Sequence, residues 1–225
     1  MKKGLFITLE GPEGSGKSTQ APRLREYLKK AGYDVVHTRE PGGTRVAESV
    51  RKALLDPGAK VSAWAELFLY EAARAQHVAE IIRPALRQGR VVLCERFTDA
   101  TEAYQGWGRG LPLRRVKKLN QWAAQGVRPD LTFLLDAPVD EGLARARGRA
   151  GKNSARKGDR LERESSAFHR RVRRGYLAMA RREPERFRVI PWREGAEKVH
   201  ASLIEGLRDF LVRRRLSPAR MKAPR

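Results

Sequence analysis

The 225-residue chain has a single cysteine, Cys94, which excludes an intramolecular disulfide. That economy fits a reducing compartment, and the cytoplasm is the expected location. His37, His77, His169 and His200 stand without ligand spacing, so no zinc or iron site is expected. No apolar run approaches the roughly 18 to 20 residues that cross a bilayer. Met1-Lys2-Lys3 leads at once into a strand-like segment, too short and too committed to the fold to be a signal peptide. Internal repeats are missing, and so is any recognisable nucleic-acid-binding motif. Acidic residues are scarce beside basic ones: 26 Asp and Glu face 48 Lys and Arg, a formal net charge of +22. Anionic partners are the natural class, either nucleic acid or nucleotides carrying several negative charges.

What is concentrated in the sequence lies between Gly11 and Thr19, reading Gly11, Pro12, Glu13, Gly14, Ser15, Gly16, Lys17, Ser18, Thr19. It follows the apolar run Leu5-Phe6-Ile7-Thr8-Leu9 and precedes a helix-forming stretch, and it fits the phosphate-loop pattern G-x-x-x-x-G-K-[ST]. Glycines let the backbone turn tightly and bring consecutive N–H groups onto phosphate oxygens. The helix that begins near Lys17 aims its unpaired N–H groups and positive dipole end at the same anion. Lys17 is expected to reach the β- and γ-phosphates, and the Ser18 hydroxyl to ligate Mg²⁺. The segment reads as a nucleoside-triphosphate site, a reading that ATPases, GTPases and small-molecule kinases share.

Helical spacing through Ala21, Leu24, Tyr27 and Leu28 extends to Lys30, with Gly32 as the stop. Short apolar strands are expected at 34–38, 91–94, 131–135 and 187–190, in addition to the one before the loop. Helices are expected over 46–55, 63–88 with an interruption at Pro84, 113–125, from 139 to 146, 161–182 and 196–214. Apolar strands without alternation, separated by helices, predict an α/β fold with a parallel sheet covered on both faces. Sites in such folds lie at the carboxyl ends of strands. Four features fall there: Gly11–Thr19, Arg39–Thr44, Glu95–Gln105 and the segment after Asp136. From Gly148 to Gly158 apolar periodicity stops, as expected of a mobile lid spanning about 148–160. Residues 217–225 read as a flexible basic tail.

Arg39, Arg51, Arg74 and Arg96 come from different elements near this edge, and several guanidiniums in one cleft suit a second phosphate. The flanking segments sharpen this. EGPEGSGKST, TREPGGT, LFLYEAARAQHV, ERFTDATEAYQGWGRG and the later DRLE, in this order, resemble the thymidylate kinases, which phosphorylate dTMP with ATP. The resemblance runs from about Leu5 to Tyr176. It implies a P-loop NTPase three-layer fold: a parallel five-stranded sheet flanked by helices, with a mobile lid. Residues 1–216 would then be one nucleoside-monophosphate-kinase domain, and the protein a homodimer.

The same resemblance implies roles. Glu13 approaches the sugar 3′-hydroxyl, and Glu40 and Pro41 lie under the acceptor nucleotide, where the family commonly has a cis proline. Tyr70 stacks on thymine, Arg74 bonds a base carbonyl, and Thr101 and Gln105 touch the base. Arg51 and Arg96 hold the dTMP phosphate, and Tyr104 lies against C2′. On spacing alone Tyr70, among Leu67, Phe68 and Leu69, reads as core packing. Gly14 stands where some members carry an arginine. Basic residues in the lid region, Arg145, Arg147 and Arg149 with Lys152, Arg156, Lys157 and Arg160, are implied to close over ATP instead, as in the bacterial form. Arg149 is the one assigned to the transferring phosphoryl group. Glu95, where Asp is commoner, is implied in the Mg²⁺ shell. Ala100 replaces a frequent Ser, and Ile190-Pro191-Trp192-Arg193 departs from the usual segment near adenine.

The charge leaves one rival of another class, a nucleic-acid-binding protein on a phosphate-loop scaffold, supported by Arg170-Arg171, Arg173-Arg174 and Arg181-Arg182. Those residues suit the solvated face of an amphipathic helix. Non-specific nucleic-acid binding would accompany the kinase reading rather than replace it, and no membrane partner is expected.

Overall fold

The computed structural model describes residues 4–151, 159–192 and 195–216, apart from the side chains at 147 and 149–151. Residues 152–158, which include Lys152, Arg156 and Lys157, and the tail 217–225 lie outside the described residues. Five strands, β1 (Leu5–Glu10), β2 (Val35–Arg39), β3 (Val91–Glu95), β4 (Leu131–Asp136) and β5 (Phe187–Pro191), form one sheet. Their order is β2-β3-β1-β4-β5, and every pairing is parallel, as the unbroken apolar strands require.

Alternation along β1 sorts the two faces. Leu5, Ile7 and Leu9 join Leu93 and Phe133 in a cluster covered by α1 (Lys17–Lys30) and α9 (Ala196–Arg213). Phe6 packs with Val92, Cys94 and Phe97 against the π-helical turn Val78–Ile82 and α4 (Arg83–Arg87). On the same side Leu134 meets α8 (Ser166–Arg182) through Val172, Tyr176 and Met179. Glu10 ends β1 on this second face and is fully buried.

Expected elements are present with shifted ends. α1 closes in a Schellman motif, with Tyr33 N–H donating to Leu28 O, Gly32 N–H to Lys29 O, and Gly32 at φ 88°. α2 spans Arg45–Leu55 and α3 spans Ala63–His77. The interruption after α3 precedes Pro84: Arg83 N–H bonds Val78 O across a π turn, because a proline cannot donate and its ring crowds the carbonyl four residues back. α5 (Thr98–Thr101) and the π-helical Glu102–Gly108 lie where no helix is expected from the sequence. Thr, Asp and Gly are poor helix formers, and packing of Ala103 and Tyr104 on α8 overrides that weakness. α6 covers Leu113–Ala124.

α7 runs Val139–Gly151, so helix continues four residues into the expected lid loop; Ala and Arg carry it across Gly148. The helix expected from Leu161 begins only at Ser166. Ser165 caps it, and the Asp159 carboxylate accepts the Leu161 and Glu162 N–H groups, closing a turn that competes with helix.

Candidate active site

The loop after β1 needs left-handed backbone at Gly11, Gly14 and Gly16, with φ of 143°, 65° and 97°. Thr44, Ser62 and Ser165 cap α2, α3 and α8 with their side chains. α1 has no side-chain cap and no acid in its first turn, so its positive end is left to an anion. A Cβ at Gly14 would lie 1.9 Å from Gly142 O, and one at Gly142 would lie 2.3 Å from Glu13 O. Loop and α7 thus touch backbone to backbone, which is a steric reason for glycine rather than arginine at position 14.

Lys17 Nζ donates to Gly11 O and Pro12 O, each at 2.9 Å, and to Ser15 Oγ at 3.1 Å. Burial, and then the Arg96 charge, push its pKa down to about 7 against the pull of Glu13, Glu10 and Glu95. Ser18 and Thr19 are exposed at the start of α1.

Beside the loop opens a partly enclosed cavity. Its walls bring together Glu13, Glu40, Pro41, Arg51, Tyr70, Arg74, Arg96, Thr101, Tyr104 and Gln105, every residue that the sequence assigns to the acceptor. Leu55, Phe97, Ala100, Asp159 and Leu161 complete it. Only Ala100 among these five stands out in the sequence; the others are apolar residues or lie in the DRLE segment without a role of their own.

Where loop and cavity meet, Arg96 stands at φ 67°. Its Nη2 donates to Glu13 Oε1 and to Tyr104 Oη (3.1 Å), and its Nη1 to Gly11 O (3.2 Å) and Tyr176 Oη (3.3 Å). Tyr104 Oη also donates to Glu13 Oε1 at 2.9 Å. Burial opposes ionisation of Glu13, but Arg96 and Lys17 outweigh it and hold the carboxyl at about 2. Burial first, with the Glu13 charge and hydrogen bond, drives the Tyr104 hydroxyl up against the pull of Arg96, so it stays a neutral donor.

Arg74 is buried, and five acceptors take its N–H groups: Glu40 Oε2 (2.8 Å), Glu71 Oε2 (2.9 Å), Asn120 Oδ1 (2.6 Å), Phe97 O (3.1 Å) and Thr101 Oγ1 (2.9 Å). A base contact by Arg74 therefore requires an exchange of partners. Glu40 is also bonded to His77 Nδ1 at 3.0 Å, while His77 Nε2 reaches Thr38 Oγ1 at 2.7 Å. The Glu40–Pro41 bond is cis, and Pro41 O accepts Arg51 Nη1 at 2.9 Å. Glu66, fully buried, gathers Gln105 Nε2 (2.7 Å), Arg109 (2.9 and 3.1 Å) and Arg160 Nη1 (2.6 Å). Its pKa is lowered although burial works the other way, because the Arg109 and Gln105 bonds and the Arg109 and Arg160 charges prevail. Arg160, which also donates to Leu54 O, is a strut of the acceptor cavity, which corrects the expectation that it closes over ATP. Nothing in the sequence distinguishes Glu66 from a surface glutamate; its role shows only once its partners are placed around it.

On the donor side, Arg145 lies 3.6 Å over the Trp192 ring, a cation–π contact on the segment that departs from the usual sequence. Arg147 and Arg149 belong to α7 by their backbone, while their side chains lie outside the described residues. Glu95 ends β3 and bonds His37 Nε2 at 3.1 Å. Among the described residues, no group of three His, Cys, Asp or Glu is placed to hold a metal. Several α8 arginines are committed within the fold: Arg173 grips Asp136 at 2.6 and 2.8 Å, and Arg171 donates to Gly108 O.

A parallel sheet with a glycine-shaped phosphate loop at its carboxyl edge is the P-loop NTPase fold, here with a second pocket against the loop. The family model described as thymidylate kinase matches residues 9–203, and the chain belongs to the thymidylate kinase family. It is 51% identical over 211 residues to the thymidylate kinase of Halothermothrix orenii, covering 94% of this chain and all of that one. To the Geobacter sulfurreducens thymidylate kinase it is 50% identical, with the same coverage. The crystal structure of thymidylate kinase from Ehrlichia chaffeensis superposes with a TM-score of 0.73 at 36% identity, over 92% of this chain and 99% of that chain.

Proposed function

We propose that this protein transfers the γ-phosphoryl group of ATP to dTMP, giving dTDP and ADP for dTTP synthesis. The observation that carries the reading is the cavity pressed against the phosphate loop, lined by every acceptor residue assigned from the sequence. Gly11 to Thr19 with Lys17 hold the ATP phosphates. Arg51 and Arg96 bind the dTMP phosphate, Glu13 accepts from the 3′-hydroxyl, and Tyr104 closes the space beside C2′. Tyr70, Thr101, Gln105 and Arg74 surround thymine over the Glu40–Pro41 loop. In-line transfer asks chiefly for positioning and for neutralised charge on the equatorial oxygens, so Lys17, Arg96 and the lid arginines Arg145, Arg147 and Arg149 share that work. No general base is required.

Magnesium fits the donors on hand. It prefers oxygen ligands and takes only one or two from the protein, the rest from phosphates and water. The Ser18 hydroxyl and the Glu95 carboxylate supply such oxygens, and the ion would neutralise charge on the ATP phosphates. A homodimer is supported by aromatic surface on α3 and α6, which pack together: Phe68 is 54% exposed and Trp122 64%. Cytoplasmic residence suits the buried free thiol of Cys94.

The test is ADP release from Mg-ATP in low salt with dTMP, dUMP, UMP, dCMP, dGMP and AMP offered separately, and Lys17→Ala as control. Turnover is expected to be strongest with dTMP, and to fall by roughly 10²–10³-fold in the variant. A different preferred acceptor would leave a kinase but remove the roles of Tyr70, Arg74 and Tyr104.

A further inference from the structure

Glu10 is a carboxylate where the fold alone would call for an apolar side chain. Alternation along β1 puts it on the face of Phe6 and Thr8, beneath α8, with no exposed surface. Burying such a group is costly unless each of its oxygens is matched. Both are matched by groups attached to Arg96. Oε1 accepts the backbone N–H of Phe97, the next residue, at 2.7 Å. Oε2 accepts the Tyr176 hydroxyl at 2.8 Å, and that hydroxyl in turn accepts Arg96 Nη1 at 3.3 Å.

Arg96 needs such support at both ends. Its φ of 67° is uncommon for a residue with a side chain. Its own N–H bonds Leu9 O at 3.0 Å, so the two amide bonds on either side of the unusual residue are fixed by β1. The guanidinium has one edge on Glu13 and Tyr104, which belong to the cavity wall, and the other on Gly11 O and Tyr176 Oη. Tyr176 is fully buried on α8, outside the cavity lining; its hydroxyl meets the cavity wall through Arg96, while its ring stands edge-on to Tyr104. Asp99, the acid whose charge bears on Glu10, is neutralised by Arg186 at 2.6 and 2.8 Å.

We propose that Glu10 and Tyr176 are positioning residues that aim Arg96 at the acceptor phosphate, and that α8 thereby enters acceptor binding without touching the acceptor. The inference rests on Arg96 being a ligand of the dTMP phosphate.

Steady-state kinetics with dTMP varied at saturating Mg-ATP, and the converse, test it on Tyr176→Phe, Glu10→Gln and Arg96→Lys, singly and as the Tyr176→Phe/Arg96→Lys pair. Tyr176→Phe keeps the ring and Glu10→Gln keeps the volume; melting curves check that each is folded, and either one alone carries the test. Each is expected to raise KM for dTMP roughly tenfold, the scale of a lost bond to a charged group, while KM for ATP moves less than about twofold. In the Arg96→Lys background, Tyr176→Phe is expected to add less than about twofold, since residues acting through one another are not additive. An undiminished tenfold effect in that background, equal changes in both KM values, or a lowered melting temperature with unchanged KM would overturn the proposal. Failure of the reading beneath it looks different: Arg96→Lys would then leave KM for dTMP unchanged, and both would fall.

Discussion

The phosphate loop takes consecutive residues, Gly11 to Thr19, and its working groups are mostly backbone N–H. The acceptor cavity beside it takes residues as far apart as Glu13 and Leu161, and its working groups are side chains held by other side chains. The loop is kept by dihedrals that glycine allows and by contact with α7 at Gly142. The cavity is kept by buried ion pairs, Arg74 with Glu40 and Glu71, and Glu66 with Arg109 and Arg160. Stability and chemistry should therefore separate differently in the two regions. In the loop, a side chain can be lost with little harm to the fold; in the cavity wall, it cannot.

Arg74→Ala against Lys17→Ala is the sharpest break of this comparison. Removing Arg74 takes from buried Glu40 and Glu71 the guanidinium that pairs with both, a loss of about 3–5 kcal/mol. For a chain of this size that lowers the melting temperature by roughly 10 °C or more. Lys17 is buried in a setting that disfavours its charge, so its removal should leave the melting temperature unchanged or raise it while turnover collapses. Comparable melting losses in the two variants would mean that the loop and the wall are held by the same kind of interaction.

This difference also governs how far each region could be read in the sequence. The phosphate loop is local, so its residues, its strand and its helix could be placed from pattern alone. The acceptor residues were named only through the family resemblance, and no periodicity links Tyr70 to Tyr104. Glu10, Glu66 and Tyr176 are not legible in the sequence, because a buried glutamate and a core tyrosine look ordinary until their partners, on other elements, are known. The same holds for α5 and the π turn after it, whose weak propensities are overruled by packing on α8. Arg160 is the converse case: it adjoins a basic lid in sequence, whereas in the fold Glu66 and Leu54 hold it beside the cavity.

Within the loop, the glycines themselves should not be equivalent. At Gly16 a Cβ would meet nothing within 4 Å, so Gly16→Ala pays only for its dihedral, φ 97°. At Gly14 the new atom would fall 1.9 Å from Gly142 O, and α7 must move. Gly14→Ala is expected to cost about 1–3 kcal/mol more in unfolding free energy than Gly16→Ala. It should also weaken ATP binding, since the displaced helix carries Arg145. Chemical unfolding of the two variants and ATP titrations check this; equal effects would show that the loop is indifferent to α7.

A dependence on pH separates the two regions once more. Lys17, whose pKa is pushed down to about 7, is largely neutral at pH 8 in the free protein. Bound phosphates favour its ammonium form, so Mg-ATP binding takes up a proton there. Affinity should be level below pH 7 and fall as pH rises above it, by at most about tenfold per unit. Over the same range the unfolded chain holds the proton more firmly than the folded one, so folding stability rises with pH between about 7 and the ordinary lysine value near 10.4. Glu10 behaves oppositely and in a lower window. Burial, and then Asp99, raise its pKa to about 7, so the folded state holds a proton that the unfolded state releases near 4.3. Its contribution to stability is thus lost as pH climbs from about 4.3 to 7. Lys17→Ala should flatten the stability curve above pH 7 and Glu10→Gln below it. ATP affinity should lose its pH dependence in the lysine variant while keeping it in the Glu10 one. If Glu10→Gln instead abolished the fall in ATP affinity above pH 7, the titrating group would sit at the end of β1, and the lysine would not set the loop's charge.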